Sequence, residues 1–165
     1  MIFVVLLMSL EITAYPLFSG FEYAAYHLSS PTIGPLVEYK VALMHQIDKH
    51  IFHILRGEIM ALEGKTFLCL GGAISIDKMY RTSHLSWWPQ EEITYHDVDN
   101  AIANLEKANN KADYVITHCC DTSTVLKAFG FRRDVCTDQL MFIDKIVEYK
   151  HWFFGHYHFD RKISA

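Results

Sequence analysis

His151-Trp152-Phe153-Phe154-Gly155-His156-Tyr157-His158 closes a strand–helix–strand run that begins at Ala112, and that run decides the fold class. Its first half is apolar and aromatic, as expected of a strand, and it breaks at Gly155 into His-x-His. In an extended segment, residues two apart share a side. His156 and His158 can therefore aim two imidazoles at one point, or at two neighbouring points, with Tyr157 pointing opposite. Imidazole is the commonest side-chain metal ligand and binds as the neutral base.

Upstream, Leu140, Ile143, Ile146 and Val147 recur at helical spacing and predict a helix over 137–149. Residues 112–117 (Ala-Asp-Tyr-Val-Ile-Thr) read as a strand that delivers His118 at its C-terminal end. Val98, Ala101, Ile102, Leu105 and Ala108 predict an earlier helix, with Thr94 and Asp97 as a capping box and Asn109-Asn110 as the stop. Strands are predicted over 51–56, 58–62 and 66–70, with a turn at Glu63-Gly64 and a sharp break at Gly71-Gly72. Residues 73–93 read as a long functional loop. Asp77 and Arg81 are its candidates to line a substrate mouth, Arg81 as a phosphate-binding fork. The competing reading is that both are salt-bridged within the loop. Trp87 and Trp88 read as loop anchors, with substrate stacking as the alternative.

Strand, loop, helix, strand, helix, strand is an α/β order, with helices covering a sheet. Two successive strands end in histidine, and ligands gather beyond the strand ends in such folds. His118, His156 and His158 suit one zinc bound by three imidazoles and a water. They suit equally well part of a two-metal site that clamps the attacking and leaving oxygens of a phosphoester. The remaining histidines in the patterned part of the chain (His45, His50, His53, His84, His96 and His151) read as structural or surface residues.

The bulk properties bound the rest. A chain of 165 residues, 51% hydrophobic, is one domain with a real core. A net charge of -4 offers no basic field for a nucleic-acid backbone. Cys69, Cys119, Cys120 and Cys136 form no C-x-x-C pair, which fits a reduced, cytoplasmic chain. Cys119 and Cys120 adjoin the candidate site and read as buried thiols, with zinc ligation as the alternative. The apolar run Ile2 to Leu7 is too short to span a bilayer. It reads as a buried strand, with a targeting segment or foreign sequence as alternatives. Residues 1–44 hold no Asp or Arg and sustain no period beyond that run, so they are set apart from a domain at 45–165.

Val115-Ile116-Thr117-His118 followed by Gly155-His156-Tyr157-His158 resembles the calcineurin-like metallophosphoesterases. A bacterial and phage-type subgroup is the closer likeness, through Leu55-Arg56-Gly57-Glu58, Gly71-Gly72-Ala73-Ile74-Ser75-Ile76-Asp77-Lys78 and Ser86-Trp87-Trp88-Pro89-Gln90-Glu91. The resemblance spans roughly His45 to Lys162. It implies a four-layer α/β/β/α sandwich and a dinuclear centre of divalent ions (Mn, Zn, Fe or Mg). It also implies hydrolysis of phosphate mono- or diesters by a metal-bound hydroxide. Carried over, His118 and His156 bind one metal and His158 the other.

The family's other ligands come from Asp-x-His, Gly-Asp-x-x-Asp and Gly-Asn-His-Glu or Gly-Asn-His-Asp motifs. Neither Gly-Asp-x-x-Asp nor Gly-Asn-His-Glu or Gly-Asn-His-Asp occurs here, the first Asn being Asn100, and the one Asp-x-His triplet, Asp48-Lys49-His50, lies inside the matched span rather than ahead of it. The expectation is thus a partial sandwich, truncated at its N-terminus, with weak metal binding and little hydrolysis by this chain alone. A non-catalytic remnant, a split subunit completed by an N-terminal fragment, and a mononuclear three-histidine zinc module are the alternatives. Uncovered sheet surface predicts a homo-oligomer or such a complementing fragment.

Overall fold

The computed structural model describes residues 35–39, 42–48, 51–75, 77–160 and 162–163. The run 2–7, most of the segment 1–44, and His50 lie outside them. Among the described residues the chain is mixed α/β, with two sheets. Strands β1 (Leu36–Tyr39), β2 (Ala42–Asp48) and β3 (Ile51–Ile54) form an antiparallel sheet in that order. Strands β4 (Glu58–Leu62), β5 (Lys65–Leu70), β6 (Tyr114–Thr117) and β7 (His151–Phe153) form the second, also in that order. β5, β6 and β7 run parallel. Helices α1 (Tyr95–Lys107), α2 (Thr122–Thr124) and α3 (Val135–Ile146) lie in the connections.

The strand readings hold to within two residues, apart from the segment 1–44. Its described part lies in β1 and β2, and β2 runs across the expected boundary at residue 44. Helix α1 forms where its period and cap predict: Thr94 Oγ1 accepts from the Asp97 amide, and the Asp97 carboxylate accepts from the Thr94 amide. Helix α3 begins at Val135, two residues before the expected start, because Asp134 and Thr137 form a second capping box. It ends at Ile146, since Val147 is already extended. Val147 is buried as the period suggests, but in the link that joins Glu148 to Asn110 and Ala112 by backbone hydrogen bonds.

Alternation in β5 splits its side chains between two cores. Leu68 and Leu70 join Val115, Val98, Ala101, Leu105, Leu140 and Ile143 under α1 and α3. Cys69, with Met60 of β4, meets Ala42, Met44, Phe52 and Ile54 of the first sheet. The described layers are therefore helices, four-stranded sheet, three-stranded sheet. The far end of the second face, where Tyr114 stacks near His151 and Phe153, leaves His151 and Phe153 exposed.

The strand starts are pinned by Asp113. Its carboxylate accepts from the Thr66 amide and hydroxyl, and the Thr66 hydroxyl accepts from the Asp113 amide. Lys150, just before β7, pairs with the same carboxylate, and its hydrogen bond with that of Thr66 holds Asp113 down to about 2. Side-chain contacts tie down the described residues of the loop after Gly72. Arg56 donates to the carbonyls of Gln90 and Glu92, Lys78 pairs with Glu92, and the Lys78 ammonium sits 4.0 Å from the Trp87 ring centre. Trp87 is thus an anchor.

His53 is expected to make sheet stability sensitive to acid. It lies opposite His45, with rings 6.0 Å apart, and its Nδ1 is buried without a hydrogen-bond partner. Burial, then the charges of His45 and Arg56, push it from 6.5 down to about 4. The unfolded chain therefore takes up this proton first. Stability contributed by neutral His53 is full above pH ~6.5, falls through the window to pH ~4, and is flat below. The loss is at most about 3 kcal/mol for this group. Urea midpoints at pH 7.5 and 4.5 are expected to differ by less in His53→Leu than in the wild type. An equal difference would refute the assignment.

Among the described residues no helix is long and apolar enough to cross a membrane.

Candidate metal centre

His118 and His156 are the two predicted ligands that the fold brings together. The β6–β7 register pairs Val115 with Trp152 and Ile116 with Phe153. Continued upward, it sets His118 opposite Gly155, and the Gly155 amide donates to the His118 carbonyl at 2.9 Å. His156 follows, and its Nδ1 lies 3.1 Å from His118 Nε2, with ring centres 5.0 Å apart. Both histidines are half-buried.

His158 does not join them. β7 ends at Phe153, so the turn is not extended and the two-residue alternation fails. His156 and His158 both have left-handed backbone, at φ 69° and 57°. Such a conformation costs a residue with a Cβ about 1–2 kcal/mol, and it persists only where its surroundings enforce it. The enforcing group is Tyr157. Its ring is buried, stacks on Phe129 at 4.4 Å, and meets Phe154 edge-on. The phenol lies against the Cys119 and Cys120 thiols, and its burial holds its proton far above the ordinary tyrosine range. With Tyr157 driven inward, His156 stays at the β6 end and His158 is exposed.

Burial favours the protonated form of the thiols beside the site in the metal-free chain. It pushes Cys120 and Cys136 up to about 12 and Cys119 well above its ordinary value. This disfavours the thiolate, the form that ligates metal. All four cysteines are unbridged. The carboxylate closest along the chain, Asp121, is also committed. It caps α2 by accepting from the Ser123 and Thr124 amides at 2.7 and 3.2 Å. Burial works to raise it, but these hydrogen bonds outweigh burial and keep the carboxyl below its usual value.

Asp77 and Arg81 pair with each other, Arg81 Nε to Asp77 Oδ1 at 2.7 Å, and Arg81 also donates to the Ser86 carbonyl. Burial raises Asp77, but the hydrogen bond and charge of Arg81 more than offset that and hold it low. The salt-bridged reading of these two residues is the one the structure displays. Sequence reasoning missed the short helix α2 and the π turn Val125–Phe129 behind it, which supply Phe129 to the site. An Asp followed by Ser and Thr at 121–124 was the available capping signal.

Among the described residues, no group of three or more His, Cys, Asp or Glu side chains is gathered to hold a metal ion. Comparison with family models, with curated proteins and with solved structures finds no match to this chain.

Proposed function

We propose that this chain carries the histidine side of a metal-dependent phosphoesterase centre, with His118 and His156 as ligands of one divalent cation. The 3.1 Å approach of His118 Nε2 to His156 Nδ1 carries the proposal. Two nitrogens each ~2.0–2.1 Å from one metal lie about 2.9 Å apart in cis-octahedral and about 3.4 Å apart in tetrahedral geometry. The observed separation falls inside that window. Imidazoles alone favour zinc or iron over magnesium or manganese, which prefer carboxylate oxygens.

The residues fit one cation and not two. His158 is exposed, and among the described residues no carboxylate is gathered with the pair. When bound, the cation supplies Lewis acidity and positive charge at a phosphoryl oxygen. The chain's own part is to hold two neutral imidazoles, one from each strand end, and to orient them by backbone and packing. Two neutral donors leave a dication's charge uncompensated, so affinity is weak and hydrolysis needs carboxylates brought to the pair. A second reading is a cation-binding chain without hydrolysis.

The facing of the two sheets across Met44, Phe52, Met60 and Cys69 supports a partial α/β/β/α sandwich, with its α/β/β layers, for this domain. The partners on this reading are a phosphoester substrate and a second copy or complementing segment over the exposed face of His151 and Phe153.

Zinc titration is expected to give at most one equivalent per chain, lost in His156→Ala, with aryl phosphate hydrolysis no faster than metal alone. Two equivalents with hydrolysis abolished by His156→Ala would overturn the half-site. No uptake by the wild type would overturn the metal reading itself.

A further inference from the structure

We infer that Thr117 and Trp152 are the positioning residues of the histidine pair. The inference rests on the reading of His118 and His156 as cation ligands. Thr117 is the last residue of β6 and is fully buried. Its hydroxyl donates to the Cys119 carbonyl at 2.6 Å, closing a small ring over His118. The same oxygen accepts the Trp152 indole N–H at 2.7 Å. One hydroxyl thus uses its donor to fold the chain around His118 and its acceptor to fix that fold to β7.

The other side of the turn is held independently. The His118 carbonyl accepts from Gly155, and the Cys119 thiol donates to the Gly72 carbonyl at the end of β5. Three strand ends converge on the backbone on either side of one imidazole. Of these contacts, only the Thr117–Trp152 bond joins the two strands that carry the histidines through their side chains. An isosteric apolar replacement takes this partner from the Trp152 N–H and the Cys119 carbonyl, and leaving buried polar groups unpaired is costly, so it releases the turn rather than preserving it. Supporting groups around metal ligands, when removed, typically weaken metal affinity ~10–100-fold.

The test uses the full chain as Thr117→Val, Thr117→Ser and Trp152→Phe. In metal-free protein, long-range proton–nitrogen spectra of the imidazoles report the contact between His118 and His156. Cobalt titration reports the cation site. The contact and cobalt affinity are expected in wild type and Thr117→Ser. In Thr117→Val the contact is expected to vanish and affinity to fall ~10–100-fold, with Trp152→Phe between.

Thr117→Val with lowered thermal stability but unchanged imidazole signals and affinity would make Thr117 a packing residue and overturn the inference. Should Thr117→Val not fold, Trp152→Phe decides in the same way. A wild type that binds no cobalt, yet whose imidazole contact vanishes in Thr117→Val, sinks the cation reading while the positioning role stands.

Discussion

Gly57→Ala is expected to lower unfolding free energy by roughly 2–5 kcal/mol, the left-handed penalty and the overpacking penalty together. Gly57 sits in the turn between β3 and β4 at φ +85°, where a side chain is strained. A Cβ there would lie 2.6 Å from the Ala101 nitrogen and 2.7 Å from the Asp97 carbonyl oxygen. Both are backbone atoms of α1, so no rotamer change relieves the clash and the helix itself must move. That movement would pull on Asn100 and Asn104, which donate to the carbonyls of Arg56 and Gly57. It would also loosen the hold of Arg56 on residues 90–92. Gly64→Ala separates the two causes. Gly64 has φ +73° with nothing within 4 Å of the added carbon, so its cost is the conformational term alone, ~1 kcal/mol. Urea unfolding followed by tryptophan fluorescence measures both variants, and similar losses in the two would refute the clash.

Gly57 also shows which parts of this fold could be read in advance. Its neighbours 58–62 and 65–70 announce themselves by apolar runs around Glu63-Gly64, and α1 by period and cap, because those signals are local. β1 and β2 gave no such signal. Leu36 and Leu43 are exposed while Ala42 and Met44 are buried, so apolar residues fall on both faces and the strand alternation is blurred. At the site, the pairing of His118 with His156 depends on the parallel register of β6 and β7, a relation between distant segments. The extended reading of the turn at 155–158 failed for a long-range reason as well. Burial of Tyr157 against Phe129 overrides the extended conformation that strand-like spacing implies, and His158 moves away from the pair. Phe129 belongs to a π turn with no periodic signature of its own.

Glu58→Ala is expected to cost about 3–5 kcal/mol, as for removing one partner of a buried charged network. Glu58 is buried at the start of β4, with no cation paired to it among the described ion pairs. Amides satisfy it instead. Oε1 accepts from Asn100 and Asn104 of α1 at 3.0 and 3.2 Å, and Oε2 accepts from the Leu43 amide of β2 at 2.9 Å. One carboxylate thus ties all three described layers. Hydrogen bonds to a charged group contribute ~1.5–3 kcal/mol each, and deletion strands three donors. Glu58→Gln should lose less, ~1–3 kcal/mol, because its amide can face only one side with the wrong polarity.

The loss is also expected to be uneven. The three-stranded sheet adheres through the small cluster of Met44, Phe52, Ile54, Met60 and Cys69, whereas β5 and β6 sit in the larger core under α1 and α3. In Glu58→Ala, amide hydrogen exchange should accelerate first across residues 42–48 and 51–54, with Leu43 foremost, while Leu68 and Val115 stay protected. Uniform acceleration through both sheets would show that Glu58 supports the whole core equally and that it does not act as the tie between the layers.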